Sequence, residues 1–167
     1  MGSTSPIDEV TIREATTIHV DGILECLHSA FAPYRSAYTA AAYEDTVLTK
    51  ESLLRRLDEM MVLVALDRSG GVAGTIAYKV VEQGEGHIRG MAVRPEYQSS
   101  GIADRLLERA EAELINANCS QATLDTTQPL ERAMAFYERH GFRRSGTTRD
   151  FFGMPLIEYV KILTPEK

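Results

Sequence analysis

Hydrophobic and polar positions follow two different periods along this chain, and the period changes several times between residues 10 and 163. Alternation over residues 10–13 predicts a first strand, and the continuous apolar run over residues 61–66 predicts a buried one. Turn residues at 67–71 precede a longer apolar-leaning run over residues 72–81, and a further run covers residues 87–93. Both runs predict strands, so four strands are expected before residue 94.

Helical spacing appears in four segments, where apolar residues recur at intervals of three and four. The four stripes are Val20, Ile23, Leu24, Leu27 and Phe31; Leu53, Leu54 and Leu57; Ile102, Ala103, Leu106, Leu107, Ala110 and Leu114; and Leu130, Ala133, Met134 and Tyr137. Pro33 is predicted to end the first helix, Thr49 to cap the second, and Pro129 and Gly141 to bound the fourth. Residues 34–48 contain scattered tyrosines and are predicted to be irregular.

Three more strands are predicted at residues 122–126, from residue 142, and at residues 156–163. About seven strands and four helices then follow the order β-α-α-β-β-β-α-β-α-β-β. This mixed order predicts a three-layer α/β fold with a mixed sheet (α+β), in a single domain over residues 10–163. Residues 1–9 and 164–167 are predicted to be tails, and the first tail to be disordered.

Composition narrows the functional classes. The net charge of −6 disfavours nonspecific binding to nucleic acid. No apolar run approaches the ~20 residues of a membrane-spanning helix, and residues 1–6 lack the basic and apolar regions of a signal peptide. Cys26 and Cys119 stand far apart without a second pair of ligands, so neither a disulfide framework nor a zinc site is indicated. We expect a cytoplasmic monomer or homodimer that binds no nucleic acid, membrane or metal.

One junction between a strand and a helix has the character of an anion site. The segment from Val93 to Leu107 joins the two elements through small and polar residues. Backbone N–H groups in the first turn of a helix lack intrahelical acceptors, and the helix dipole favours negative charge there. Gly101 accepts unusual torsions and lets the backbone approach a ligand closely.

Two common nucleotide-binding motifs do not fit this junction. A nucleoside triphosphate loop requires Gly-Lys-Ser/Thr, but Ile102 follows Gly101, and the glycines at 70–74 and 84–90 miss the dinucleotide spacing. What remains is Gln-x-x-Gly-x-Ala at residues 98–103, with Val-Arg-Pro-Glu-Tyr before it and Leu-Leu at residues 106–107. It resembles the pyrophosphate-binding motif Gln/Arg-x-x-Gly-x-Gly/Ala of the Gcn5-related N-acetyltransferase (GNAT) family.

A second stretch strengthens the resemblance. Residues 133–142 are similar to the family's Ala-x-x-x-Tyr-Glu-x-x-Gly-Phe helix end, and the predicted element order is similar to the GNAT fold over most of residues 10–163. The resemblance implies an N-acetyltransferase that moves an acetyl group from acetyl-CoA to a primary amine of a small molecule or peptide. It implies direct attack within a ternary complex.

The resemblance also assigns roles to residues. Backbone amides of the 98–103 loop would hold the CoA pyrophosphate, an exposed strand edge would pair with the pantetheine arm, and Tyr137 would donate a proton to the departing thiolate where the fourth and fifth strands separate. The implied cofactor-binding residues are Met91, Ala92, Val93, Gln98, Ser99, Ser100, Gly101, Ile102, Ala103 and Phe136. Chemistry supports Tyr137 as the general acid, because the pKa of a tyrosine lies above that of a thiol. A strand-end N–H such as that of Val93 would suit the developing oxyanion.

The chain departs from the family pattern at three places. Leu130 stands where relatives often carry an asparagine that contacts the cofactor. Ser99 and Ser100 replace the usual glycine and basic residue of the loop. On the fourth strand, His87 and Arg89 occupy positions where relatives often carry the acidic general base. Because strand side chains alternate, these two are expected to face one side together with Met91.

The general base stays open among several groups. His87 lies near the expected reaction centre and titrates in the useful range, although a histidine on the surface or at a strand edge is the simpler interpretation. Glu82, Glu85 and Asp125 are the alternative bases, as is ordered water. Arg89 is expected either to pair with a neighbouring acid or to read a carboxylate of the substrate.

Aromatic residues indicate the acceptor side. Tyr34, Tyr38 and Phe151 match segments that form the acceptor wall in the family, and they favour a small amine or an amino-acid-like acceptor. The alternative function is a catalytically weakened acyl-CoA-binding or sensing module of the same fold. The missing acidic base favours this alternative, whereas Tyr137 favours catalysis.

Overall fold

The computed structural model describes residues 10–164, so the predicted tails at 1–9 and 164–167 lie outside the described residues except for Thr164. The strands are β1 (Thr11–Glu14), β2 (Met61–Leu66), β3 (Val72–Glu82), β4 (Glu85–Val93), β5 (Gln121–Thr127), β6 (Arg143–Phe151) and β7 (Met154–Ile162). The α-helices are α1 (Val20–Phe31), α2 (Ala40–Thr46), α3 (Lys50–Glu59), α4 (Ile102–Asn116) and α5 (Glu131–Arg139). Within the described range, no helix is both long and apolar enough to cross a membrane.

The seven strands form one sheet in the order β1-β2-β3-β4-β5-β7-β6. Every neighbouring pair is antiparallel except β4 and β5, which run parallel and are connected through α4. This mixed sheet with helices on both faces confirms the predicted fold class. β2 occupies the residues that its apolar run predicts, and α3 begins with a capping box between Thr49 and Ser52.

Two hydrophobic cores lie on opposite faces of the sheet. The first contains the apolar stripe of α4, including Leu106 and Leu114, together with Tyr137 of α5 and Phe142. The second contains the stripe of α1 and Leu53 of α3. Burial of a leucine side chain contributes roughly 1.5–3 kcal/mol, so both stripes hold their helices against the sheet.

The segment between α1 and α3 differs from its prediction. Residues 34–48 are not irregular, because a 3₁₀-helix covers Ala32–Ala37 and α2 follows it. Thr39 caps α2 by accepting a hydrogen bond from the N–H of Ala42, and its own hydroxyl donates to the carbonyl of Phe152 at 2.7 Å. The helix therefore depends on a contact with the distant β6–β7 turn, which local periodicity does not contain.

A bulge interrupts β4 at Gly90. Thr75 of β3 pairs with Ala92 of β4, and Ala77 pairs with Arg89, so β4 contains one more residue than β3 between the two pairs. Gly90, within this stretch, has φ of +68°. The extra residue reverses the alternation of side chains. Ile88 packs in the α4-side core, whereas Ala92 packs in the α1-side core.

The expectation that Met91 faces the same side as His87 and Arg89 is therefore wrong. Met91 and Val93 pack against the α4-side core, on the face that also holds Ile88. The bulge lies just beyond the last paired residues of β4 and β5, since their pairing runs only from Glu85 and Gln121 to Ile88 and Leu124. After that point the two strands separate.

Candidate active site

A cleft of about 530 Å³ opens where β4 and β5 separate. Its lining comes from both faces of the sheet and joins most of the residues that the sequence singles out. These are Tyr34, Tyr38, His87, Arg89, Met91, Ala92, Val93, Gln98, Ser99, Gly101, Ala103, Asp125, Phe136, Tyr137 and Phe151. Residues more than 100 positions apart in the sequence thus line one cavity.

The N-terminus of α4 forms one end of the cleft. Gly101 precedes the helix in the left-handed conformation, with φ of +94°, and provides no side-chain cap. The first N–H groups of α4 therefore retain their capacity to bind an anion, reinforced by the dipole of a 15-residue helix. Ser99 also has a positive φ, of 65°. The Gln98 side-chain amide donates to the carbonyl of Val93 at 3.3 Å, which ties the loop to β4.

Two predicted loop residues face elsewhere. The side chain of Ile102 is fully buried in the α4-side core, and the hydroxyl of Ser100 donates to the carbonyl of Tyr97. Only their backbone groups are placed to serve a ligand at the helix start. Asp104 in the first turn also lines the cleft, and its carboxylate lies 2.7 Å from Nε2 of His140.

The free edge of β4 lies along the middle of the cleft. The N–H of Arg94 donates to the carbonyl of Ala73 at 2.9 Å, toward β3. Because successive N–H groups of a strand point to opposite edges, the N–H of Val93 points toward the gap where β5 has separated. This edge can accept an extended ligand as an additional strand.

Tyr137 reaches the cleft from α5 through an apolar environment. Its ring packs edge-to-face against Phe136 and Phe142, with ring centroids 5.5 and 6.0 Å away. Burial raises the pKa of its hydroxyl, so the group stays protonated and can donate. On β5 nearby, Thr126 Oγ1 is buried and has no hydrogen-bond partner among the described residues. A buried oxygen of this kind is satisfied when a ligand brings a donor.

His87 is paired with two residues of β5. Its Nδ1 lies 3.0 Å from Thr123 Oγ1, and its Nε2 lies 3.8 Å from Asp125 Oδ2. Burial lowers the pKa of His87, and the charge of Asp125 partly offsets the effect. Burial raises the pKa of Asp125, with His87 acting in the opposite direction. The imidazole of His87 can therefore be neutral at neutral pH.

The other two carboxylates proposed as bases lie outside the cleft. Glu82 and Glu85 face each other across the β3–β4 turn at Gly84, at the opposite end of the paired part of β4 and β5. Neither lines the cavity. Of the four residues considered as the base, only His87 and Asp125 therefore line the cleft.

The end of the cleft that the sequence predicts to hold the acceptor, called the acceptor end below, lies beside α2 and the 3₁₀-helix before it. The hydroxyl of Tyr38 is 2.6 Å from Thr127 Oγ1, and Arg89 pairs with Asp45 of α2 at 3.5 Å. Arg56 of α3 also lines this end. The sequence did not single out Arg56, because it stands on the polar side of a helix whose spacing indicates only a solvated face.

The fold and the matched sequence together identify the class of protein. The model of the acetyltransferase (GNAT) family matches residues 23–142, and the chain belongs to this family. The structure is also similar to the PaiA N-acetyltransferase from Thermoplasma acidophilum in complex with coenzyme A. The TM-score is 0.77 at 20% identity, covering 92% of this chain and 98% of that one.

Two curated relatives share more limited similarity. N-alpha-acetyltransferase 30 of Schizosaccharomyces pombe is 34% identical over 84 residues, which cover 48% of this chain and 56% of the relative. The amino-acid acetyltransferase of Pseudomonas putida is 28% identical over 142 residues, which cover 83% of this chain and 28% of the relative. The chain thus matches only part of the length of each relative.

Proposed function

We propose that this protein transfers the acetyl group of acetyl-CoA to a primary amine by direct attack in a ternary complex. The observation that carries the proposal is the meeting of three features in one cleft: the uncapped start of α4, the free edge of β4 and the hydroxyl of Tyr137. The names of both curated relatives describe acetylation of amino-acid or N-alpha groups, which supports an amine acceptor.

The residues present fit coenzyme A. Backbone N–H groups from Gly101 to Ala103 suit a pyrophosphate, since they lie at a helix start and Gly101 adds no side chain there. Arg132 and Arg139 of α5 line the same cleft and add positive charge. The unpartnered Thr126 hydroxyl offers a further hydrogen bond within the lining. When bound, acetyl-CoA supplies an activated thioester.

Two groups of the protein act on the reacting atoms. The Val93 N–H, directed into the gap, donates a hydrogen bond to the oxygen that gains negative charge during attack. The Tyr137 hydroxyl donates its proton to the leaving sulfur, and its apolar surroundings keep that proton in place beforehand.

His87 is the favoured acceptor for the proton of the attacking amine, directly or through water. An amine attacks only in its neutral form, so the proton must leave for a group that is itself unprotonated. The lowered pKa of His87 makes the imidazole neutral at physiological pH. Asp125, 3.8 Å from Nε2, stabilises the imidazolium once the proton has arrived.

An acceptor screen tests the proposal. Purified protein is incubated with acetyl-CoA and a panel of amines, amino acids and short peptides, and release of CoA is followed together with the mass of the acetylated product. We expect at least one amine to gain an acetyl group. Binding of acetyl-CoA without transfer to any panel member would contradict the transferase and favour an acyl-CoA-sensing module.

The pH dependence of kcat/KM tests the role of His87. The imidazole accepts a proton only when neutral, so kcat/KM should rise with pH through a pKa below the ordinary 6.5 of histidine, because burial lowers it. His87→Ala and His87→Gln should both lose this limb. His28→Ala provides the control, since His28 is exposed on α1 outside the cleft.

Asp125→Asn separates the two groups. The charge of Asp125 raises the pKa of His87, so its removal should move the limb to lower pH while leaving it visible. A limb that survives in His87→Ala and vanishes in Asp125→Asn would make Asp125 the base instead.

A further inference from the structure

Arg56 lies at the acceptor end of the cleft in an unusual position for a cation. It projects from α3 against the β4 bulge, where a Cβ atom added to Gly90 would lie only 2.6 Å from its Nη1 atom. Arg56 is half-buried and belongs to the lining of the cleft. Gly90 thus creates the bulge and also leaves the space that the guanidinium occupies.

The residues that the structure describes offset the charge of Arg56 only in part. The charge of Asp45 acts on Arg56, but Asp45 already forms an ion pair with Arg89 at 3.5 Å. No carboxylate among residues 10–164 forms an ion pair with Arg56 itself. Burial lowers the pKa of Arg56 to about 10, and the charge of Arg89 lowers it more than Asp45 raises it. Asp45 therefore interacts with both Arg56 and Arg89 at the edge of the cleft.

A buried cation whose charge is only partly offset favours binding of an anion. A guanidinium presents parallel N–H donors that match the two oxygens of a carboxylate. Arg56 also lies beside Gly90, two residues beyond the last pair of β4 with β5, where the strands separate. If Arg56 holds a carboxylate of a small substrate, an amine a few bonds from that carboxylate would reach the point where β4 and β5 separate.

We propose that Arg56, assisted by Arg89, binds the carboxylate of the acceptor, so that the substrate is a free amino acid. The inference rests on the proposed transfer to an amine and specifies its substrate class.

The contacts around the acceptor end favour a compact substrate over a polymer. Tyr38 reaches across to Thr127, and Thr39 bonds to the β6–β7 turn through the Phe152 carbonyl and the Met154 sulfur. The segment carrying α2 is thus fastened to the far side of the cleft. A free amino acid supplies both an amine and a carboxylate within this enclosure.

Binding to the CoA-loaded protein tests the inference without requiring turnover. The protein is saturated with CoA, which cannot donate an acetyl group, and titrated calorimetrically with the 20 L-amino acids and with their amides. We expect at least one amino acid to bind ~10-fold or more tightly than its amide, because the amide lacks the carboxylate that accepts charge-assisted hydrogen bonds from the guanidinium. Arg56→Met should remove the preference, and Arg56→Lys should retain part of it.

Two further variants separate a binding role from a structural one. Arg55→Met removes the neighbouring, exposed arginine of α3, which does not line the cleft, and should leave the preference unchanged. Gly90→Ala should reduce the preference by displacing the guanidinium. Equal binding of acid and amide, absence of binding by every amino acid, or a preference that survives Arg56→Met would overturn the inference.

Transfer assays with the same pairs distinguish the two proposals. Acetylation of amines without discrimination between acid and amide would leave the transferase standing and refute the carboxylate site. Carboxylate-dependent binding that Arg56→Met abolishes, without any acetyl transfer, would support the site and refute the transferase.

Discussion

Replacing Tyr137 by phenylalanine is expected to lower kcat by ~100- to 10,000-fold, the usual contribution of a general acid, and to leave the affinity for acetyl-CoA nearly unchanged. The side chain keeps its ring and its contacts with Phe136 and Phe142, so only the hydroxyl is lost. Because the proposed role of the hydroxyl is to protonate the leaving sulfur in the transition state, its loss should appear in kcat rather than in ground-state binding. Single-turnover measurements with saturating acetyl-CoA, together with calorimetric binding, separate the two quantities.

Tyr159→Phe is the matched control. Tyr159 is fully buried in the same core, and its hydroxyl donates to Glu138 at 3.3 Å, but it does not line the cleft. Removing this hydroxyl should change stability slightly and leave kcat unchanged. If Tyr137→Phe turned over at the parental rate under conditions where chemistry limits the reaction, Tyr137 would have no part in proton transfer.

Gly101→Val is expected to abolish the thermal stabilisation that acetyl-CoA gives to the parent protein. A ligand that binds only the folded state stabilises it by about 2.7 kcal/mol when the ligand concentration is about 100 times the Kd. Loss of binding is therefore easily measured. A β-branched residue is strained at φ of +94°, and Gly101 directly precedes the N–H groups that start α4. Differential scanning fluorimetry with increasing acetyl-CoA measures the effect.

The chain contains a close control for backbone strain. Gly146 in β6 also has φ of +94°, and an added Cβ there would meet nothing within 4 Å. Gly146→Val should lose stability through strain of order 1–3 kcal/mol but keep its full response to acetyl-CoA. A normal acetyl-CoA response in Gly101→Val would remove the α4 start from the cofactor site.

Local patterns predict the regular elements of this fold well, because each carries its own signal. The apolar run of β2, the stripe of α4 and the Thr49 cap of α3 all appear where the sequence places them. The helix α2 was missed because its stability comes from Thr39 and from contacts with the β6–β7 turn, over 110 residues away. A separation of this size leaves no trace in a local window.

The candidate site is predictable only in part for the same reason. The loop at residues 98–103 and Tyr137 lie in continuous motifs that resemble a family, whereas Arg56 has no motif and becomes notable only against Gly90. The predicted side-chain direction of Met91 was wrong because the prediction assumed strict alternation, which a one-residue bulge reverses. Such a bulge depends on the register with β3, and a single strand does not encode register by itself.

The position of the cleft between two cores has a consequence for how specificity can change. The cleft passes between the two faces of the sheet, since α4 and α5 form its wall on one face and the segments around α1 to α3 form its wall on the other. Substitutions in walls that share few contacts have nearly additive free energies. Under the proposed function, substitutions between residues 32 and 59 that keep the contacts of Tyr38 and Thr39 should therefore alter acceptor recognition and leave acetyl-CoA binding unchanged.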